Sequence, residues 1–107
     1  MLRVYGEILE VVLMVRERID AVDRRDADLG RQLRRACTSV VLNLGEGMGS
    51  TGRTRTARYR TALGSMRETT ACFDVAVALG YVEPLDDEVR RRIAGVTACL
   101  VKLAAVR

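Results

Sequence analysis

The sequence predicts an all-α protein, an antiparallel up-down-up-down four-helix bundle. Apolar residues recur at three- and four-residue steps in four successive segments, which is the pattern of amphipathic helices. Three tyrosines, one phenylalanine and no tryptophan leave aliphatic side chains to build the core. The short connections between the segments favour antiparallel neighbours. A chain of 107 residues suffices for one domain, and we expect that domain to span residues 1–107.

An aspartate-rich segment separates the first two predicted helices. The apolar stripe that starts at Val4 and includes Val22 predicts a first helix ending near Ala21. Residues 23–28 contain aspartates that can serve as N-caps. The second helix is therefore expected to begin near Asp28.

A glycine-rich run, residues 45–52, follows the second helix. Four glycines in eight residues fit a helix C-terminus that leads into a turn. The spacing resembles a GxGxxG loop, but these glycines follow a helix and not a strand, so a dinucleotide-binding loop is not supported. The third helix is predicted from Arg53 to Leu79, with Gly80 in the left-handed conformation at its end.

The fourth helix is predicted to start after the single proline, Pro84. Asp86, Asp87 and Glu88 then favour the positive N-terminal end of a helix dipole. Apolar residues at helical spacing continue this helix to Leu103.

Composition argues against several classes of function. The chain has no histidine, which removes the commonest general base and the commonest metal ligand. No apolar stretch approaches the roughly 20 residues that a membrane span needs. We therefore expect a non-enzymatic, cytoplasmic protein with no cofactor, no metal and no membrane partner. Cys37, Cys72 and Cys99 fall within helical patterns and are expected to be reduced core residues.

Some apolar residues lie outside the stripes that form the predicted core. On the first helix a second stripe contains Leu9 and Leu13, and Leu42 projects away from the core on the second helix. Two interpretations remain open: a few exposed aliphatic residues on a monomer, or a subunit interface, which we favour because a small bundle gains much from association. The predicted interface residues are Leu9, Leu13, Leu42, Gly64, Ala71 and Val75.

Polar residues flank the predicted core faces of the second and third helices. Asn43 and Glu46 do so on the second helix, and Ser65 and Glu68 do so on the third. If the helices are antiparallel, these groups can meet one another or Arg34 in a structural hydrogen-bond network. The alternative is that Glu46 and Glu68 form a catalytic acid/base pair, for which the sequence supplies neither a nucleophile nor a metal partner.

The strongest electrostatic feature is an arginine-rich junction between the second and third helices. From Gly47 to Arg67 the chain has five arginines and no acidic residue, a local charge of about +5. Such a cluster can bind nucleic-acid phosphates by releasing counterions. It can also be a solvated helix end or pair with acidic residues of another subunit. The predicted nucleic-acid-binding residues are Arg53, Arg55, Arg58, Arg60, Arg31 and Arg35.

Two segments combine several spaced polar positions with the helical pattern. The first segment comprises Gln32-Leu33-Arg34-Arg35-Ala36, Ser39 and Asn43-Leu44-Gly45-Glu46-Gly47. The second comprises Tyr59, Arg60, Ala62, Gly64, Ser65, Glu68 and Thr69, then Ala78-Leu79-Gly80-Tyr81. Together they resemble the 23S rRNA-intervening-sequence four-helix-bundle family. The sequence departs from the family pattern where Leu44-Gly45 replaces Ile-Ala, and it lacks the N-terminal aromatic and lysine-rich stretch.

The resemblance implies a bacterial up-down bundle of a kind that commonly assembles as a ring-shaped homopentamer and whose function is generally unassigned. A more distant relative, the accessory variability determinant of diversity-generating retroelements, is a basic pentamer that binds a reverse transcriptase and nucleic acid. Two hypotheses follow: an oligomer that binds RNA or DNA backbone, and an adaptor ring that presents helix faces to a protein such as a reverse transcriptase. Salt-sensitive binding of nucleic acid would distinguish the first from the second.

Overall fold

The computed structural model describes residues 2–105, and its four helices confirm the all-α bundle. They are α1 (Arg3–Arg25), α2 (Ala27–Met48), α3 (Gly52–Ala78) and α4 (Asp87–Ala105). α1 packs against α2 and α4, and α3 packs against the same two helices, so the four helices surround one core. No helix within residues 2–105 is long and apolar enough to cross a membrane.

The core consists of the apolar stripes that the sequence predicts. Ile8, Leu33, Met66 and Leu100, one from each helix, are fully buried. Burying a side chain of this size stabilises the fold by roughly 1.5–3 kcal/mol relative to leaving it exposed. Tyr59 also lies in the core and is only 6% exposed. Its ring is therefore not available to stack on a nucleic-acid base.

A single residue, Asp26, connects α1 to α2. Its backbone N–H donates to the Val22 carbonyl at 2.8 Å, and its Oδ1 accepts from the Leu29 N–H at 3.0 Å. The prediction that the first helix ends near Ala21 is therefore one turn short. Val22 is fully buried and holds this last turn of α1 on the core.

The glycine-rich run contains the end of α2, as predicted, but its first four residues, 45–48, are still helical. α2 continues to Met48, because Gly47 packs against α3: a Cβ on Gly47 would lie 2.5 Å from Tyr59 Cε1. At the turn itself only Gly52 has a positive φ, of 57°. The glycines thus serve close helix packing as well as the turn.

The connection between α3 and α4 follows the prediction closely. Gly80 adopts a φ of 76° after the C-cap Leu79, and Asp86 Oδ1 accepts from the Val89 N–H at 3.0 Å at the start of α4. Arg18 of α1 holds the loop by donating to the carbonyl oxygens of Glu83 and Pro84, both at 3.1 Å.

The three cysteines are free thiols in different environments. Cys37 and Cys72 are buried, as predicted, whereas Cys99 is only partly buried. Burial raises the pKa of the Cys37 thiol. Burial, with a smaller contribution from the nearby negative charge of Glu68, raises the pKa of the Cys72 thiol. Both buried thiols are therefore protonated at neutral pH.

Candidate functional site

One end of the bundle carries a marked excess of positive charge. Because the helices are antiparallel, the start of α1, the end of α2, the start of α3 and the end of α4 meet there. We call this region, residues 2–9, 43–60 and 101–105, the basic end. Its acidic residues are Glu7 and Glu46. Its basic residues are Arg3, Arg53, Arg55, Arg58, Arg60 and Lys102.

The opposite end of the bundle is acidic. Residues 20–31 and 74–92 form this acidic end, in which nine carboxylates outnumber six arginines. The longest dimension of the molecule is 42 Å, several times the Debye length of about 8 Å at physiological ionic strength. The two ends therefore present separate fields, and a polyanion approaching in solution is attracted to the basic end.

The arginines of the junction lie on two different faces of α3. Arg53 and Arg60 are seven residues apart and share one face. Arg60 Nε donates to the Ala104 carbonyl of α4 at 3.2 Å. Arg58 points the other way and reaches α2, where its Nε lies 3.1 Å from Glu46 Oε2. The basic end is therefore a surface that wraps around the start of α3.

The arginines of the basic end differ in how far their charge is neutralised. Arg53 has no hydrogen bond or ion pair within residues 2–105. Arg55 and Arg60 donate to backbone carbonyl oxygens, of Ser50 at 2.8 Å and of Ala104, and so keep their full charge. Arg58 alone is paired with a carboxylate. Four guanidinium groups at this end, those of Arg3, Arg53, Arg55 and Arg60, thus remain available to an external anion.

The remaining two predicted arginines line a groove between α2 and α3 and lie outside the basic end. This α2/α3 groove has two parts, of about 490 and 380 Å³, that share Arg35 and Ser39. Arg31 lines the first part and pairs with Asp28 at 3.3 Å. Arg35 has no partner within residues 2–105. The structure therefore separates Arg31 from the four predicted binding arginines of α3.

A hydrogen-bond network crosses the α2/α3 groove. Ser39 Oγ and Ser65 Oγ lie 2.7 Å apart, and Asn43 Nδ2 donates to Ser39 Oγ at 3.0 Å. Asn43 Oδ1 accepts from Arg58 at 3.3 Å, which links the serines to the Arg58–Glu46 ion pair. The network joins α2 to α3 at three successive levels.

Two residues assigned to this network from the sequence have other partners. Arg34 turns to α1, where it lies 2.9 Å from Asp20 and 3.7 Å from Asp23. Glu68 accepts a hydrogen bond from Gln32 at 3.3 Å. Arg34 is not in the network because it lies on the side of α2 that faces α1.

Glu46 and Glu68 do not lie side by side. Glu46 pairs with Arg58 near the end of α2, whereas Glu68 contacts Gln32 near the start of that helix. Gln32 and Glu46 are fourteen residues apart, about 21 Å along the helix axis. This arrangement gives no support to an acid/base pair, since both carboxylates would have to reach one substrate.

The residues predicted to form an oligomer interface lie on two opposite sides of the bundle. Leu9, Leu13 and Leu42 are exposed on the α1/α2 side, at 41%, 68% and 59%. Gly64, Ala71 and Val75 are exposed on α3. Ala71 also lines an apolar groove of about 860 Å³ between α3 and α4. The chain thus has an apolar ridge on one side and an apolar groove on the other.

Sequence reasoning missed some residues of these surfaces. Arg3 and Lys102 are far from the arginine-rich junction in the sequence, but the antiparallel helices bring them to the same end. Counting residues back from each turn could have placed them there. The role of Ser39 in the groove network was not predicted, although Ser39 belongs to the segment that carries the family resemblance and lies four residues before Asn43.

The chain was compared with known proteins. The model of a family described as 23S rRNA-intervening sequence protein matches residues 1–102. A crystal structure of a protein of unknown function from the S23 ribosomal protein family of Bacteroides thetaiotaomicron has a similar fold, with a TM-score of 0.78 and 15% sequence identity. That similarity covers 96% of this chain and 99% of the other, and at this identity it establishes the fold alone. A comparison with curated proteins finds no significant match.

Proposed function

Since this chain belongs to the 23S rRNA-intervening sequence protein family, we propose that it is a non-enzymatic, oligomeric bundle that binds the backbone of RNA or DNA through its basic end. The observation that carries this proposal is the distribution of charge. Six basic residues face two acidic ones at the basic end, although the whole chain has a net charge of only +4. A polyanion therefore has one favoured place to bind.

Three arginines supply the main phosphate contacts in this proposal. Arg53, Arg55 and Arg60 carry charge that no described carboxylate neutralises, and guanidinium groups match phosphate oxygens with two parallel hydrogen bonds. Because Tyr59 is buried, the start of α3 offers no aromatic ring for base stacking. The expected recognition is of the backbone, with little preference for sequence.

The other predicted arginines have smaller parts. Arg58 must release or share Glu46 before it contacts a phosphate. Arg31 and Arg35 lie beside the carboxylates of Asp28 and Glu68, which oppose the approach of a long polyanion. We expect substitution of these three arginines to weaken nucleic-acid binding less than substitution at the start of α3.

Oligomerisation belongs to the same proposal. The ridge with Leu13 and Leu42 and the groove with Ala71 lie on opposite sides, so a contact between them joins unlike surfaces of two copies. Contacts of this type form rings when the rotation closes. Members of the family that the sequence resembles assemble as homopentamers, and such a ring would present several basic ends to one nucleic acid. Avidity then strengthens a contact that is weak in one copy.

The alternative is an adaptor ring that binds a protein, such as a reverse transcriptase, and has no nucleic-acid affinity of its own. The exposed ridge favours this alternative, because Leu13 is 68% and Leu42 59% exposed. Clusters of exposed large apolar residues commonly mark protein contacts. If copies of the chain cover only part of these surfaces, the rest is free for a protein partner.

The test measures binding of fluorescently labelled single-stranded RNA and double-stranded DNA to the purified protein, whose native mass is determined first. The variant Arg53→Ala/Arg55→Ala is compared with Arg24→Ala/Arg91→Ala, which removes the same charge from the acidic end. We expect the first variant to lose about tenfold or more in affinity and the second to change little. For wild type, affinity should fall between 50 and 200 mM salt, with a log-log slope of about −0.7 per phosphate contact on RNA and −0.9 on duplex DNA.

Three results would count against the proposal. Equal losses in the two variants would show that only net charge matters and that the basic end is not the binding surface. Negligible binding by wild type at 50 mM salt would remove nucleic acid as the ligand and leave the adaptor. A monomeric mass would contradict the ring, whichever ligand is bound.

A further inference from the structure

The middle of the α2/α3 groove holds a positive charge that no described residue neutralises. Arg35 lines both parts of the groove, where they meet. Arg31, one turn earlier on α2, differs from Arg35 in that its charge is paired with Asp28. Within residues 2–105 the Arg35 guanidinium has neither a hydrogen bond nor an ion pair. It therefore offers up to five N–H donors to the groove.

A hydroxyl donor lies in the same part of the groove. Ser39 and Ser65 each have one hydroxyl hydrogen, and the 2.7 Å contact between their oxygens uses only one of the two. Asn43 Nδ2 donates to Ser39 Oγ and so does not accept the second hydrogen. No described group accepts it either. Whichever serine donates to the other, one hydroxyl hydrogen remains for a ligand.

The surrounding carboxylates limit the ligand to a small anion. Glu68 stands on one side of Arg35, held by Gln32, and Glu46 stands on the other, held by Arg58. A strand of nucleic acid lying along the groove would bring its phosphates against both carboxylates. One compact anionic group between them meets only the guanidinium and the serine hydroxyl.

We propose that the middle of the α2/α3 groove binds one compact anionic group, a carboxylate or a phosphate monoester, through the Arg35 guanidinium and the free hydroxyl of the Ser39–Ser65 pair. The network beneath it is already formed, since Asn43 and Arg58 fix the serines before a ligand arrives. Such preorganisation lowers the entropic cost of binding. The groups that contact the ligand lie outside the basic end, although Asn43 and Arg58 belong to it, and the proposal does not depend on nucleic-acid binding there.

The experiment is a titration of the ¹⁵N-labelled protein, followed by NMR at constant ionic strength. One arm uses inorganic phosphate and the other uses the α-amide of N-acetylglutamate, which carries a single side-chain carboxylate. We expect saturable shifts of the Arg35 Nε–Hε and Ser39 amide signals, with dissociation constants on the order of millimolar. Saturation in one arm only identifies the class of anion, and saturation in both shows that the site accepts either.

Variants test whether the shifts report this site. Arg35→Gln should weaken binding at least about tenfold, because it removes a charge-assisted contact. Arg91→Gln removes the same charge from an exposed position of α4 and should stay within about twofold of wild type. Arg35 is exposed, so we expect its variant to fold, and the unchanged amide signals of α1 and α4 check this. Shifts that never saturate, that are largest at the basic end, or that are equal in both variants would overturn the proposal.

Discussion

Gly47 and Tyr59 are in direct contact, and a Cβ at Gly47 would lie 2.5 Å from Tyr59 Cε1 and 2.8 Å from Cδ1. The contact sets how closely α2 approaches α3 beside the turn that joins them. Tyr59 cannot easily move away, because its ring is buried in the core. The helix packing at the basic end therefore requires a residue without a side chain at position 47, although this glycine contributes no charge.

The variant Gly47→Ala should destabilise the protein by about 1–3 kcal/mol, because the added methyl group forces the Tyr59 ring or the backbone to shift. Chemical denaturation measures this change. Gly95→Ala is the matched control: Gly95 lies inside α4, and nothing is within 4 Å of a Cβ placed there. The control should be more stable than wild type by about 0.5–1 kcal/mol, as alanine favours a helix. Equal effects at both positions would contradict the close contact.

Asp26 should stabilise the fold more than an ordinary N-cap residue does, because it also contacts the loop that follows α3. Its Oδ1 accepts from the Leu29 N–H, and its Oδ2 accepts from the Tyr81 hydroxyl at 3.3 Å. Replacing a capping aspartate with alanine costs about 0.5–2 kcal/mol. Asp86→Ala removes a cap with the same 3.0 Å geometry at Val89 and serves as the comparison.

We expect the free energy of unfolding to fall more for Asp26→Ala than for Asp86→Ala, with the difference abolished in a Tyr81→Phe background. Thermal or urea unfolding of the wild type, the three single variants and the two double variants completes the comparison. If Asp26→Ala still lowered the free energy of unfolding more than Asp86→Ala in the Tyr81→Phe background, the additional loss would come from the connection between α1 and α2 instead.

The cysteines should make stability fall in mildly alkaline solution. Burial raises the pKa of Cys37 and Cys72 in the folded protein, so these thiols keep their protons while those of the unfolded chain ionise near the ordinary value of about 8.5. The unfolded state then binds fewer protons, and the free energy of unfolding decreases as pH rises above that value. Unfolding curves from pH 7.5 to 9.5 should show this decrease, and Cys37→Ala/Cys72→Ala should flatten it.

The same burial predicts an order of thiol reactivity. Cys99 is partly exposed and should react with a thiol reagent in the native protein, whereas Cys37 and Cys72 should react only when the protein opens. Mass spectrometry of partly labelled protein identifies the modified residues. Early labelling of Cys72 would show that α3 opens locally near Glu68.

The ridge on α1 and α2 should control self-association. Leu13→Glu and Leu42→Glu place charges on the most exposed apolar residues of the ridge and should lower the native mass without unfolding the subunit. Met14→Glu is the control, since Met14 lies on a different face of α1 and is 37% exposed. Sedimentation or native mass spectrometry measures the outcome. An unchanged mass in both ridge variants would direct the search for the interface to other faces.

Local sequence patterns predicted most of the fold, but pairwise contacts across helices could not be read from them. The stripe of α4 and the left-handed Gly80 follow directly from periodicity and turn chemistry. The last turn of α2 contains Gly45 and Gly47 although glycine favours turns locally, and Gly47 is retained in the helix by its packing on Tyr59. That contact links residues twelve positions apart and has no local pattern.

The candidate sites were predictable to different degrees for a similar reason. The arginine-rich junction is visible in the sequence, because Arg53 to Arg60 are neighbours along the chain. The division of these arginines between two faces depends on which helix lies beside each face. The free guanidinium of Arg35 could not be foreseen, since it depends on Glu68 and Glu46 contacting Gln32 and Arg58 instead.

The separation of charge along the bundle also affects how copies of the chain can assemble. In a ring of parallel subunits all basic ends lie side by side, and so do all acidic ends. Like charges therefore repel one another on both faces of the ring. Ions in solution screen that repulsion, whereas they compete with phosphate at the basic end. Higher salt should therefore stabilise such a ring and weaken its binding to nucleic acid. A nucleic acid bound to the basic ends neutralises their charge, so it should stabilise the ring at low salt.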